Sequence, residues 1–204
     1  MRNKLTRTAI ALTGAVIVGV ALGFAIQALQ GSLGGSSAVL ANSGAVWILV
    51  AFALGLAMPS PRVAAVGGAM CLVAASISYY VAVDWFEGIA SGPRGTVIWS
   101  IAGIVAGLAF GLAGFLARNN TRHRRSAWAL LTGVLIGEGI HLTWHVGNDE
   151  LRPAGIAELA VAAVIATLTL RRARSATLVI TTTAAAAVAT LLAVGLINRV
   201  FASL

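Results

Sequence analysis

The sequence predicts an all-α, polytopic membrane protein, a single domain over residues 1–204 built as a bundle of seven transmembrane helices with the amino terminus inside and the carboxyl terminus outside. Three observations predict it. Hydrophobic residues make up 59% of the chain and charged residues 10%, with a mean hydropathy of +0.93, a balance that water-soluble domains do not show. Apolar runs approaching the roughly 20 residues that a bilayer core demands recur along the chain. The basic residues between those runs fall mostly on one side of the bundle that the runs imply.

The first run, residues 8–30, follows a basic amino-terminal segment and is longer than the core of a signal peptide, so it is read as an uncleaved helix. Residues 31–43 are Gly/Ser-rich and uncharged, hence a loop. The second run, 44–58, is short and ends in a Pro-punctuated turn, Met58-Pro59-Ser60-Pro61-Arg62, which leads to the third run at 63–83. The remaining runs are 96–117, 127–147, 155–170 and 177–198. With the amino terminus in the cytoplasm, Arg2, Lys4, Arg7, Arg62, Arg118, Arg122, Arg124, Arg125, Arg171, Arg172 and Arg174 share the inner side. Only Arg94, Arg152 and Arg199 lie opposite, the positive-inside pattern of a bacterial-type inner or plasma membrane.

The net charge of +8 is thereby accounted for by topology. Nucleic acid is excluded as a partner, because no aromatic residues interleave with the basic ones. Arg122-His123-Arg124-Arg125 reads as a cytoplasmic anchor that touches anionic membrane lipid. Glycines at a spacing of four, Gly19 and Gly23, Gly103, Gly107 and Gly111, and Gly133 and Gly137, allow close helix approach within the bundle or between copies. The single Cys71 excludes an intrachain disulfide and belongs to packing.

The chemistry concentrates in the fifth run, where Glu138, His141 and His145 fall at i, i+3 and i+7 on one helical face, flanked by Gly137 and Gly139. Ionisable groups at such depth are costly and mark function by default, although a polar cluster that merely ties helices together has the same signature. A metal site is conceivable from the Glu-x-x-His spacing. No second such motif exists and His123 lies in the Arg loop, so no metal and no cofactor is expected. Acid–base work remains. A carboxyl group out of water favours its protonated form, and a donor such as His141 or Trp144 would stabilise the anion left after proton transfer.

The second cluster is Ser78 to Glu87, with Tyr79, Tyr80, Asp84, Trp85 and Glu87 near the outer end of the third run. An aromatic belt with a solvated acidic loop is the plain reading. Against it, Trp47, Trp85, Trp99 and Trp144 all map to the outer half and only Trp128 to the inner. Aromatic faces stabilise a cation by roughly 0.5–2 kcal/mol each, so such a gathering suits a pocket for a carbocation or a quaternary ammonium. Asp149 and Glu150, with Arg152 and Pro153, read as a hydrated turn. Glu158, one turn into the sixth run, either lines a cavity or reaches outward.

A chain of this length with seven short helices, Trp47, the run Tyr79-Tyr80 to Asp84-Trp85 and Glu87, and the run Glu138 to His141, Trp144 and His145 resembles the small integral-membrane terpene cyclases of meroterpenoid pathways. The resemblance implies a class II reaction, in which an acid protonates an alkene or epoxide of a prenylated lipophilic small molecule and the cation runs through ring closures without a metal. It implies Glu138 as the acid with His141 in support, and Asp84 or Glu158 as the second carboxylate. Tyr79, Tyr80, Trp85, Trp99 and Trp144 would form the cation-stabilising wall, with Trp47, His145 and Glu87 also in the substrate site. Two other classes stay open: a small-solute or proton-coupled carrier that uses the Glu138/His141/His145 stripe, and an accessory subunit that binds a partner through its basic loops.

Overall fold

The computed structural model describes residues 2–88, 92–120, 122–171 and 176–202. Arg172 and Arg174, counted above in the charge asymmetry, lie outside them. The described chain runs through α1 (Arg2–Ser32), α2 (Gly35–Ala41), α3 (Gly44–Ala57), α4 (Pro61–Glu87), α5 (Pro93–Asn119) and α6 (Arg124–Ile140). A π-helical turn (His141–His145) and a 3-10 turn (Asp149–Leu151) then lead to α7 (Arg152–Arg171) and α8 (Ala176–Ala202). No strand occurs among the described residues.

Six segments are long and apolar enough to cross a membrane: Asn3–Ser32, Gly35–Ala57, Pro61–Glu87, Pro93–Asn119, Asp149–Arg171 and Ala176–Val200. Residues 124–145, which cover most of the fifth span expected at 127–147, are the exception. Their α-helix is 17 residues long and begins at Arg124 and Arg125, and the π turn carries two histidines. The expected loop at 31–43 is corrected: α1 continues through Ser32, and residues 35–41 form a separate short helix. All but Ser43 of the Gly/Ser content that suggested a loop lies in residues 31–37, and Ala38-Val39-Leu40-Ala41 propagates a helix once a turn has nucleated.

The ends of the long helices follow from local chemistry. Ser60 caps α4 by accepting from the Val63 amide, and Pro61 occupies the first turn, where its missing N–H costs nothing. Gly88 closes the same helix with φ +66, in the left-handed region that favours glycine. At the other end of the bundle, Arg124 donates to the carbonyls of Ala117 and Arg118 at the end of α5, and Arg118 donates to the Leu56 carbonyl at the end of α3. These guanidiniums satisfy orphan carbonyls and meet the negative ends of two helix dipoles.

Glycine faces set which helices touch. Gly19 and Gly23 of α1 lie against α4, and Gly68 of α4 lies against Gly107 and Gly111 of α5. Gly55 of α3 lies against Gly111 and Gly114. The ridges that could have served a second copy are therefore occupied within the chain. In α6 three consecutive residues meet three helices. Gly137 faces Ala187 and Thr190 of α8, Glu138 faces the start of α3, and Gly139 faces Gly155 and Leu159 of α7. A rotation of about 100° per residue produces this fan, and the two glycines bring α7 and α8 close on either side of the acid.

Candidate functional site

The site is built on the first turn of α3. A helix begins with orphan N–H groups that need acceptors. Ser43, in extended conformation before α3, takes the Val46 amide on its hydroxyl. The two preceding amides go to a residue 93 and 94 positions away: Gly44 N–H donates to Oε1 of Glu138 at 2.7 Å and Ala45 N–H to Oε2 at 2.6 Å. Both carboxyl oxygens of Glu138 are thus engaged by backbone donors at the positive end of a helix dipole. Gly44 is where a side chain would crowd this contact, since a Cβ there would lie 3.2 Å from Glu138 Oε2.

Glu158 completes the site from α7. It is 3% exposed, and neither carboxyl oxygen has a hydrogen-bond partner among the described residues. Ser43 lies beside it, and Glu138 is close enough to act on it electrostatically. The approach of α7 to α6 at Gly139 and Gly155 puts Glu158, nearly one turn past Gly155, next to Glu138. Two carboxyl groups therefore flank one helix start, one holding two backbone N–H donors and the other with the Ser43 hydroxyl beside it but no formed hydrogen bond.

One residue back along the chain, Asn42 ties the same junction to the aromatic cluster. Its Nδ2 donates to Gln30 Oε1 at 3.1 Å, and its Oδ1 accepts from Trp47 Nε1 at 3.2 Å. Tyr79 O–H donates to the same Gln30 oxygen at 2.8 Å. The Tyr79 ring meets Trp47 edge-on at 6.1 Å and Tyr80 at 5.3 Å. Trp47, Tyr79 and Tyr80 thus stand together, and Asn42 ties them to the chain just before the α3 start.

The other expected residues do not join them. His141 is half-buried and stacks on the exposed His145 with ring centroids 6.1 Å apart. No hydrogen bond links either to Glu138 among the described residues. The π turn, in which Val146 N–H reaches back five residues to the His141 carbonyl, shifts the register between His141 and His145. Trp144 on that turn is 62% exposed, Trp85 75% and Trp99 41%, so the wall of five aromatics is not assembled. Trp85 packs on Phe24. Asp84 is exposed near the end of α4, and Glu87 accepts from Gln27 Nε2 at 2.6 Å. Asp149 pairs with Arg152 at 3.1 Å in an exposed turn.

An open apolar groove of about 300 Å³ is lined by Pro93, Arg94, Val97, Ile98 and Val200, and none of the acids or aromatics above borders it. No group of three or more His, Cys, Asp or Glu side chains is placed to hold a metal among the described residues.

The sequence pattern of a family of unknown function, DUF6518, matches residues 2–200. The chain belongs to that family. No curated protein and no solved structure matches it. In this DUF6518 chain the residues that sequence reasoning passed over are Gln30, Asn42 and Ser43. Asn42-Ser43 directly before an apolar run is a helix-start signal, and it would have marked the junction. Nothing local announces that Glu138 supplies the acceptors.

Proposed function

We propose that the protein is an integral membrane enzyme that uses the Glu138–Glu158 pair to protonate a lipophilic prenylated substrate and start a carbocation cyclisation. The observation that carries this reading is the junction at Asn42–Ala45, which holds a buried carboxyl pair at Gly44–Ala45 and, through Asn42, the trio Trp47, Tyr79 and Tyr80. An acid shielded from water protonates weak bases such as alkenes and epoxides, which water would otherwise outcompete, and the aromatic faces then hold the cation. Asp84, Trp85, Trp99 and Trp144 drop out of the reacting centre. In this reading seven segments cross the membrane, residues 124–145 included, with the amino terminus cytoplasmic in a bacterial-type inner membrane, and the site opens in the outer half of the bundle.

The test is product formation. Membranes that carry the protein, supplied with prenylated quinones or indoles and their terminal epoxides, are expected to yield a ring-closed isomer of unchanged mass, identified by its shifted retention and by NMR. Glu158→Gln is expected to reduce the rate by at least about 10²-fold, the scale of a lost general acid. Conversion undiminished in Glu158→Gln and Glu138→Gln would remove the acid assignment.

A second reading is favoured by the exposure of Trp85, Trp99 and Trp144, which leaves a carboxyl pair with a small aromatic neighbourhood. That is the composition of a proton-coupled carrier, and acidification of proteoliposomes on addition of a solute would select it over the enzyme.

A further inference from the structure

The two carboxyl groups are chemically unequal in a way that assigns the proton. Glu138 receives two backbone N–H donors, one on each oxygen, and the positive end of α3, and a proton on the group would weaken these charge-assisted bonds and give up the attraction to the dipole. Glu158 makes no formed hydrogen bond among the described residues, and of the neighbouring donors the Ser43 hydroxyl lies beside it. A buried carboxylate without donors or a counter-ion is strongly disfavoured, the more so beside a second negative charge.

Among the described residues, no cation on the elements packed against α7 is placed to resolve this. The elements packed on α7 are α2, α6, the π turn, the 3-10 turn and α8. On α6, Arg124 is bonded to carbonyls of α5, and Arg125 begins the helix about 20 Å along its axis from Glu138. The π turn offers His141 and His145, which stack on each other. The 3-10 turn adds only Asp149 and Glu150. On α7 itself Arg152 is held by Asp149 and the Thr143 carbonyl, and Arg171 is at the far end. Arg199 is exposed near the end of α8, and α2 carries no charge.

We propose that Glu158 is a proton-binding site, carrying the exchangeable proton of the pair, while Glu138 stands as a permanent carboxylate held by the α3 amides. The assignment reverses the roles that the sequence suggested. It rests on the acid–base reading of this pair but on no particular substrate.

Dicyclohexylcarbodiimide tests it without a substrate. This hydrophobic reagent takes the proton of a carboxylic acid onto a nitrogen while the carboxyl oxygen adds to its central carbon. The O-acylisourea then rearranges to a stable N-acylurea, with no leaving group. The full-length protein in membranes is treated at neutral pH, digested, and the adduct located by peptide mass spectrometry. We expect at least about tenfold more adduct on Glu158 than on Glu138, the ratio that one pKa unit between the two sites would give, declining in alkaline buffer. Equal or greater labelling of Glu138, or no adduct on Glu158, overturns the proposal. Because both sites are read in one wild-type chain, no variant need fold. Labelling of Glu158 in a protein that forms no cyclised product would sink the enzyme reading and leave this one standing.

Discussion

Glu138→Gln is expected to destabilise the protein by about 2–4 kcal/mol, because it leaves one of two buried helix-start amides without its acceptor and sets a donor against it. The amide oxygen of glutamine can take one N–H, but its NH2 group then turns a donor toward the other, and the attraction between a carboxylate and the α3 dipole is lost as well. Glutamine at position 158 is expected to change stability by less than about 1 kcal/mol, since the carboxyl it replaces makes no hydrogen bond that could be forfeited. Unfolding of the two variants in the same detergent, by heat or by denaturant, checks the pair. An equal loss in both would mean that Glu138 is no more a structural clamp than Glu158.

Leucine at Gly155 is expected to part α7 from α6. A Cβ at this position would meet Thr143 Oγ1 and would lie 2.7 Å from the Gly139 carbonyl oxygen and 2.9 Å from the Thr143 amide, and two of these three atoms are backbone. Thr143 cannot simply swing clear, because its hydroxyl is buried and donates to the Gly139 carbonyl at 2.6 Å. The strain is expected to cost about 1–3 kcal/mol or more and to carry Glu158 away from Glu138. Gly195→Leu on α8 is the control: nothing lies within 4 Å of a Cβ there, so it should behave as wild type. The measurements are the yield of monodisperse protein and its unfolding midpoint. Equal tolerance of both leucines would show that the helices do not approach through Gly155.

Much of the helical frame was legible in the sequence, since helix positions depend on runs of apolar residues and on local punctuation such as Ser60-Pro61 and Gly88. The glycine spacing also told where helices would come close. The short α2 was hidden because its amino-terminal serines and glycines read as a loop while its propagating residues are few. The candidate site was half legible. Glu138 and Glu158 were both visible as costly residues, but their division of labour depends on a contact between α3 and α6, and no local pattern encodes a capping bond across 94 positions. The tryptophans were misleading for a related reason. Sequence gave their depth along the helix axis, whereas function depends on the face, and Trp85, Trp99 and Trp144 occupy exposed faces. The π turn that begins at His141 was likewise not legible, and His145 on it is exposed.

The central claim is that one carboxyl of the pair is neutral and the other charged, and infrared spectroscopy reads that difference directly, because the C=O stretch of a protonated carboxylic acid is well separated from carboxylate bands. In spectra of the full-length protein at neutral pH, a protonated-carboxyl band should be present in the wild type and in Glu138→Gln, and missing from Glu158→Gln. A band that survives in Glu158→Gln and vanishes in Glu138→Gln would contradict the account.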